Sequence, residues 1–136
     1  MKKFIALLSC ILITMTLFIG CNKTTYDVSI NTDIDTYHLA ISVVQGITMT
    51  PEFKTNDKNI NVEYYWSTTD GGFIGFEDKE SVLADSIIWS PLSSSLPAPS
   101  KNAKVTVTVK EKVTGKVLGE SSVNIEEKDN IYIVKK

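Results

Sequence analysis

From residue 37 onward, apolar and polar side chains alternate in short runs separated by Gly, Asn, Asp, Pro and Ser. The clearest run is KVTVTVK at 104–110. Val105, Val107 and Val109 fall on one side of it, and Lys104, Thr106, Thr108 and Lys110 on the other. A period of two is the signature of a pleated strand with one buried face, and Val and Thr suit that surface. After a turn at Thr114, Gly115 and Lys116, Val123 and Ile125 alternate with Ser122, Asn124 and Glu126. This predicts a hairpin. INVEYYWS at 60–67 predicts a second strand, with Ile60, Val62, Tyr64 and Trp66 inward. TTDGG then predicts a turn, and FIGF at 73–76 a return strand. YHLAISVV at 37–44 predicts an early strand with Leu39, Ile41 and Val43 in phase. In the next run Ile47, Met49 and Phe53 are in phase, and Pro51 points to an edge or bent strand. Shorter strands are expected at 86–90 and 131–134. Residues 91–102 hold three of the four prolines and predict a surface loop. Residues 22–35 are polar and predict a tether, to which DVSI could add an edge strand. No long run of period 3.6 occurs. About seven short strands with regular turn signals predict an all-β, antiparallel β-sandwich.

The N-terminus, MKKFIALLSCILITMTLFIGC, has a different pattern. Lys2 and Lys3 precede residues 4–19, which carry no charge and include 13 apolar residues among 16. A positive start, an apolar run of this length and a small residue at its close predict a secretory signal peptide, residues 1–20, in a helix. An uncleaved anchor is the other reading, although the run falls short of the roughly 20 residues a spanning helix needs. Leu17, Phe18, Ile19, Gly20 and Cys21 resemble the lipobox of bacterial lipoproteins. Leu7, Leu8, Ser9 and Cys10 fit the box by letter, but Cys10 leaves too short an apolar run before it. The resemblance implies that Cys21 becomes the first mature residue and carries lipid. The protein is then expected on the extracytoplasmic face of the cell membrane, held through that lipid.

The strand carrying Trp66, the KVTVTVK strand and the hairpin closed over a Thr-Gly turn resemble bacterial immunoglobulin-like domains, the PKD type included. The resemblance covers residues 37–127. It implies an immunoglobulin-like sandwich, here without a Cys pair around the Trp and without a tyrosine corner. The organisation expected is a signal peptide at 1–20, a polar tether at 21–36 and an immunoglobulin-like β-sandwich at 37–136.

Charge and reactive groups narrow the function. The chain of 136 residues has 14 Lys, no Arg and 16 acidic residues, for a net charge of −2. Removing 1–20 leaves 12 Lys against the same 16 acids, or −4. No basic stripe remains for nucleic acid. Both cysteines lie within the first 21 residues, so the β-domain has no thiol for a disulfide, zinc or redox chemistry. His38 is the only imidazole and falls on the polar side of its strand. No G-x-S-x-G elbow, H-E-x-x-H helix or phosphate loop is present. No catalytic residue, cofactor or metal is therefore expected. Asp33 and Asp35 alternate as calcium ligands can, but also suit a solvated tether. Asp70 suits a turn, and Glu77, Asp78 and Glu80 a charged loop. Trp66 reads as core, while Tyr65 faces the opposite side. Trp89 is ambiguous in phase, and core packing is the better reading, with surface stacking the alternative.

The function expected is a non-catalytic, lipid-anchored module that binds a protein or cell-wall partner. Loops at a sandwich's ends commonly carry binding. The candidate surface is the loop 91–102, with Leu92 and Leu96, and the turn 68–75, with Asp70. A carbohydrate-binding module stacking sugars on Tyr65 and Trp89 is the first alternative, since exposed rings offer large contact areas. An inhibitor or immunity-type lipoprotein that plugs a secreted enzyme with a protruding loop is the second.

Overall fold

A computed structural model describes residues 23–42, 45–76, 81–92 and 98–136. The signal helix, Cys21, Leu96 and the 77–80 cluster lie outside the described residues. Among the described residues ten strands run in order: β1 (Tyr26–Thr32), β2 (Thr36–His38), β3 (Ile47–Thr55), β4 (Val62–Thr68), β5 (Gly72–Phe73), β6 (Val82–Leu83), β7 (Ile87–Ser90), β8 (Asn102–Glu111), β9 (Val117–Lys128) and β10 (Ile131–Lys135). They form two antiparallel sheets, a four-stranded one ordered β1-β3-β7-β5 and a six-stranded one ordered β2-β10-β9-β8-β4-β6. The architecture is all-β and consistent with a sandwich.

The alternation of β8 sets the core. Val105, Val107 and Val109 are completely buried, and Val123 and Ile125 of β9 join them. Burying one such side chain stabilises the fold by about 1.5–3 kcal/mol. Ile47, Met49, Ile87 and Trp89 face them from the four-stranded sheet, and Trp66 and Val82 complete the layer. Both indoles sit fully buried with their N–H groups satisfied. Trp66 Nε1 donates to the Ala84 carbonyl at 2.9 Å, and Trp89 Nε1 to the Asp70 carbonyl at 3.0 Å. A buried indole without such an acceptor would lose its hydration uncompensated.

The segment assigned to a tether holds β1, which pairs with β3 as an edge strand. It also leans on β9, where a Cβ built on Gly119 would stand 2.6 Å from Val28 Cγ2. The edge strand that DVSI could add is thus present, and the polar tether is corrected, because Val28 and Ile30 alternate toward the interior. The chain then changes sheets through Asp33, Ile34 and Asp35. Asp33 N donates to Thr48 O of β3, Val134 N of β10 donates to Asp35 O, and Ile34 packs against the core.

The expected strand 37–44 stops at His38. Ser42 N donates to the His38 carbonyl at 2.9 Å, so the chain turns back, and Ile41 is left exposed instead of in phase with a core. FIGF does not return along β4. Only Phe73 remains in strand with Gly72, and β5 pairs with β7 in the other sheet. TTDGG is thus a crossover between layers instead of a hairpin turn. β3 is longer and more central than Pro51 suggested. The proline is tolerated because β7 pairs only with Ile47, Thr48 and Met49, leaving β3 one-sided at Pro51. A further hairpin joins β9 to β10 through Asp129 and Asn130, both at positive φ (56° and 63°). That pair has the type I′ signature.

Candidate functional site

The loops divide between two ends of the sandwich. Loops 56–61 and 112–116 lie at the end where the described chain begins. Asn56 Oδ1 accepts from Thr25 N at 3.1 Å, Asn56 Nδ2 donates to Lys23 O, and Lys112 N donates to Asn61 O at 2.9 Å. The opposite end carries the described residues 39–42, 45–46, 69–76, 91–92 and 98–101 and the 129–130 turn. The β2–β10 pairing places His38 beside Ile131, and Asn102 stands opposite Glu126 of β9.

That opposite end is organised from inside by two aromatic side chains. Trp89 and Tyr132 meet edge to face with centroids 5.8 Å apart. The Trp89 N–H fixes the 68–72 crossover through Asp70 O. The Tyr132 hydroxyl donates to Ser100 O at 2.7 Å and fixes the far side of the 91–101 loop. Ser100 N also donates to Pro91 O at 2.8 Å, joining the residues on either side of 93–97. Gly71 is required at the crossover. Its φ is +74°, and a Cβ there would stand 2.6 Å from Ser90 O and 2.7 Å from Trp89 Nε1. Burial raises the Tyr132 pKa above its ordinary value, with smaller contributions from Glu127, Tyr37 and Asp70. Burial likewise raises Tyr37, whose ring lies 6.2 Å from that of Tyr132.

Over this frame lies an open groove of about 430 Å³ lined by Tyr37, Leu39, Ser42, Gln45, Ile74, Ser90 and Leu92. Leu92 is 55% exposed on its rim, and Ile41 and Ile88 are exposed on segments that adjoin it in sequence. The walls of the groove are divided about evenly between apolar and polar surface, the polar groups being hydroxyls and an amide from Ser42, Gln45 and Ser90. It has the character of a shallow docking surface.

The sequence candidates are distributed unevenly around it. Leu92 lines the groove, and Ile74 brings the 68–75 turn to it. Asp70 lies beneath, its carboxylate accepting from Gly71 N at 2.8 Å and its carbonyl from Trp89 and Thr68. It shapes the turn. Trp89 is a correction to the candidate surface, because the ring is wholly inside and holds two loops together. Tyr65 lies apart, on the outer face of the six-stranded sheet. Its hydroxyl donates to Glu63 Oε2 at 3.1 Å, and Lys110 Nζ stands 4.4 Å over its ring. The hydrogen bond to Glu63, then burial, raises its pKa. Tyr65 and Trp89 therefore share no stacking face, which removes the arrangement a sugar platform needs. Sequence reading missed Tyr37, Leu39, Ser42 and Gln45, because a continuous strand through 37–44 left no room for a loop there.

The carboxylates do not converge. Asp33 Oδ1 accepts from Thr48 N and Ile34 N, at 2.8 and 2.9 Å. Asp35 Oδ1 accepts from Thr32 Oγ1 and pairs with Lys136 Nζ at 3.0 Å, and that lysine holds its pKa below the usual carboxylate value. Among the described residues, no three His, Cys, Asp or Glu side chains are grouped to hold a metal ion. His38 sits on β2 at the rim, its backbone bonded to Ser42. No protein-family model matches the chain, and no curated protein or solved structure is significantly similar to it.

Proposed function

We propose that the protein is a lipid-anchored, non-catalytic, immunoglobulin-like module on the extracytoplasmic face of a bacterial membrane, and that it binds a protein partner in the groove over Trp89 and Tyr132. The carrying observation is the position of that groove. It lies at the end opposite Lys23, which Asn22 alone separates from Cys21. A lipid on Cys21 puts the bilayer at one end of the sandwich and leaves the groove at the other. Two features support the immunoglobulin-like reading. The chain passes from β1 in one sheet to β2 in the other through the short link 33–35, and a tryptophan of β4 lies at the centre of the core. A protein partner is favoured over a glycan because the groove presents aliphatic side chains, while both indole rings are inside the fold.

Two variants test the two halves of this reading. Cys21→Ser is expected to move the protein out of the membrane fraction, and unchanged processing and retention would overturn the anchor. Leu92→Glu is expected to reduce a crosslinked complex recovered from intact cells about tenfold or more, as removing a groove contact does. An identical set of crosslinked products would overturn the groove.

A further inference from the structure

The β8–β9 hairpin exposes two large apolar side chains, Val113 in the turn and Val117 at the first position of β9. Val113 is 85% exposed and Val117 54%. They are not on a floppy tip. Glu111 N donates to Lys116 O and Gly115 N to Glu111 O, both at 2.8 Å, and Lys116 N donates to Thr114 Oγ1 at 3.2 Å. Gly115 takes φ +70° to close the turn. Lys112 and Lys116 flank the valines, giving the order Lys-Val-Thr-Gly-Lys-Val. A rigid turn that holds two valines in water among lysines has no use for them within the fold.

Its location supplies one. Lys112 N is bonded to Asn61 O, and the same 56–61 loop holds Lys23 O and Thr25 N through Asn56. The turn therefore lies beside the point where the chain enters the domain. The apolar run 4–19 and Cys21 immediately precede that point. Four lysines surround it: Lys23, Lys58, Lys112 and Lys116. Carboxylates lie among them too: Asp27 of β1 faces Lys54, and three others are engaged within the loops. Asp57 accepts from Asn59 N, Glu111 from the Thr114 hydroxyl, and Glu63 from Tyr65 with Lys112 at 3.9 Å. Among the described residues, no carboxylate pairs with Lys23, Lys58 or Lys116.

We infer that the turn 112–117, with Lys23 and Lys58, is a second membrane contact that rests on anionic lipid headgroups and holds the domain upright. The inference rests on the membrane attachment proposed above. Valine side chains enter the headgroup boundary, lysine ammonium groups meet lipid phosphates, and the lysine stems lie along the boundary. One lipid attachment point lets a domain tumble. A second contact beside it removes that freedom and keeps the groove facing outward.

The test uses the full chain expressed with its own N-terminus in bacteria whose membranes contain phosphatidylglycerol. A photoreactive diazirine side chain replaces Val113, Val117 or, as the comparison, Leu92. Membranes are pelleted and irradiated, and adducts are read by mass. Lipid adducts at 113 and 117 are expected to exceed those at 92 about tenfold, as contact with a headgroup boundary requires. Pelleted protein with equal lipid adducts at all three positions would overturn this contact and leave the anchor standing. Protein in the soluble fraction would overturn both.

Discussion

The two ends of the sandwich are built by opposite means. At the end where the described chain begins, the loops are short and held by their own backbone and side-chain hydrogen bonds, and their apolar residues point outward. At the groove end the described loop residues are held from beneath by hydrogen bonds from Trp89 and Tyr132. Exposed residues at either end are free to serve contacts outside the fold. Only at the groove end are the loops that display them inseparable from the core. Side-chain truncations below the groove should therefore cost stability, and truncations of the exposed valines at the 112–117 turn should not.

The largest separation is expected between Trp89→Ala and Val113→Ala. The first leaves a cavity and releases the 68–72 crossover, at a cost of about 3–5 kcal/mol in denaturant unfolding. The second should change stability by less than about 0.5 kcal/mol. Similar costs for both would break the comparison. Gly71→Ala against Gly115→Ala sharpens it. Both glycines have positive φ, but only a Cβ at Gly71 meets neighbouring atoms. Gly115→Ala should cost about 1–2 kcal/mol from backbone conformation alone, and Gly71→Ala more than that. Equal shifts in midpoint would show that Trp89 does not crowd the crossover. Tyr132→Phe keeps the ring and removes its bond to Ser100 O, so about 1–2 kcal/mol should be lost. The alkaline limb of stability should report the same cluster. Burial raises the pKa of Tyr37, Tyr64 and Tyr132 in the folded state. Their stabilising contribution is full below the ordinary tyrosine value of about 10 and is lost as pH rises through the higher folded values. Unfolding free energy should thus fall above pH about 10, and Tyr132→Phe should flatten that fall. Leu92→Glu is the smallest effect, within about 0.5 kcal/mol, because its side chain is on the rim.

These differences also explain what could be read in the sequence. The six-stranded sheet was largely legible, because KVTVTVK and its partner are neighbours in sequence and every second residue is apolar. Trp66 followed the same phase. The four-stranded sheet is assembled from short pieces far apart in sequence. Nothing local in FIGF says that Phe73 pairs with Trp89 instead of following β4. Leu39, Ile41 and Val43 kept perfect alternation, yet the turn fixed by Ser42 and His38 ended the strand. The groove needed that turn to be recognised, so only Leu92 and the 68–75 region were anticipated. The Asp-Asn pair at 129–130 was a usable hairpin signal that went unread.

The most direct measurement compares two leucines of nearly equal exposure, Leu92 at 55% on the groove rim and Leu83 at 52% on β6, at the edge of the six-stranded sheet. Equal exposure cancels reagent access. A photoreactive side chain is placed at each in the membrane-bound full chain, and intact cells are irradiated. The account predicts one discrete protein adduct from position 92 and none of that mass from position 83. The same adduct from both positions, or from 83 alone, would contradict it.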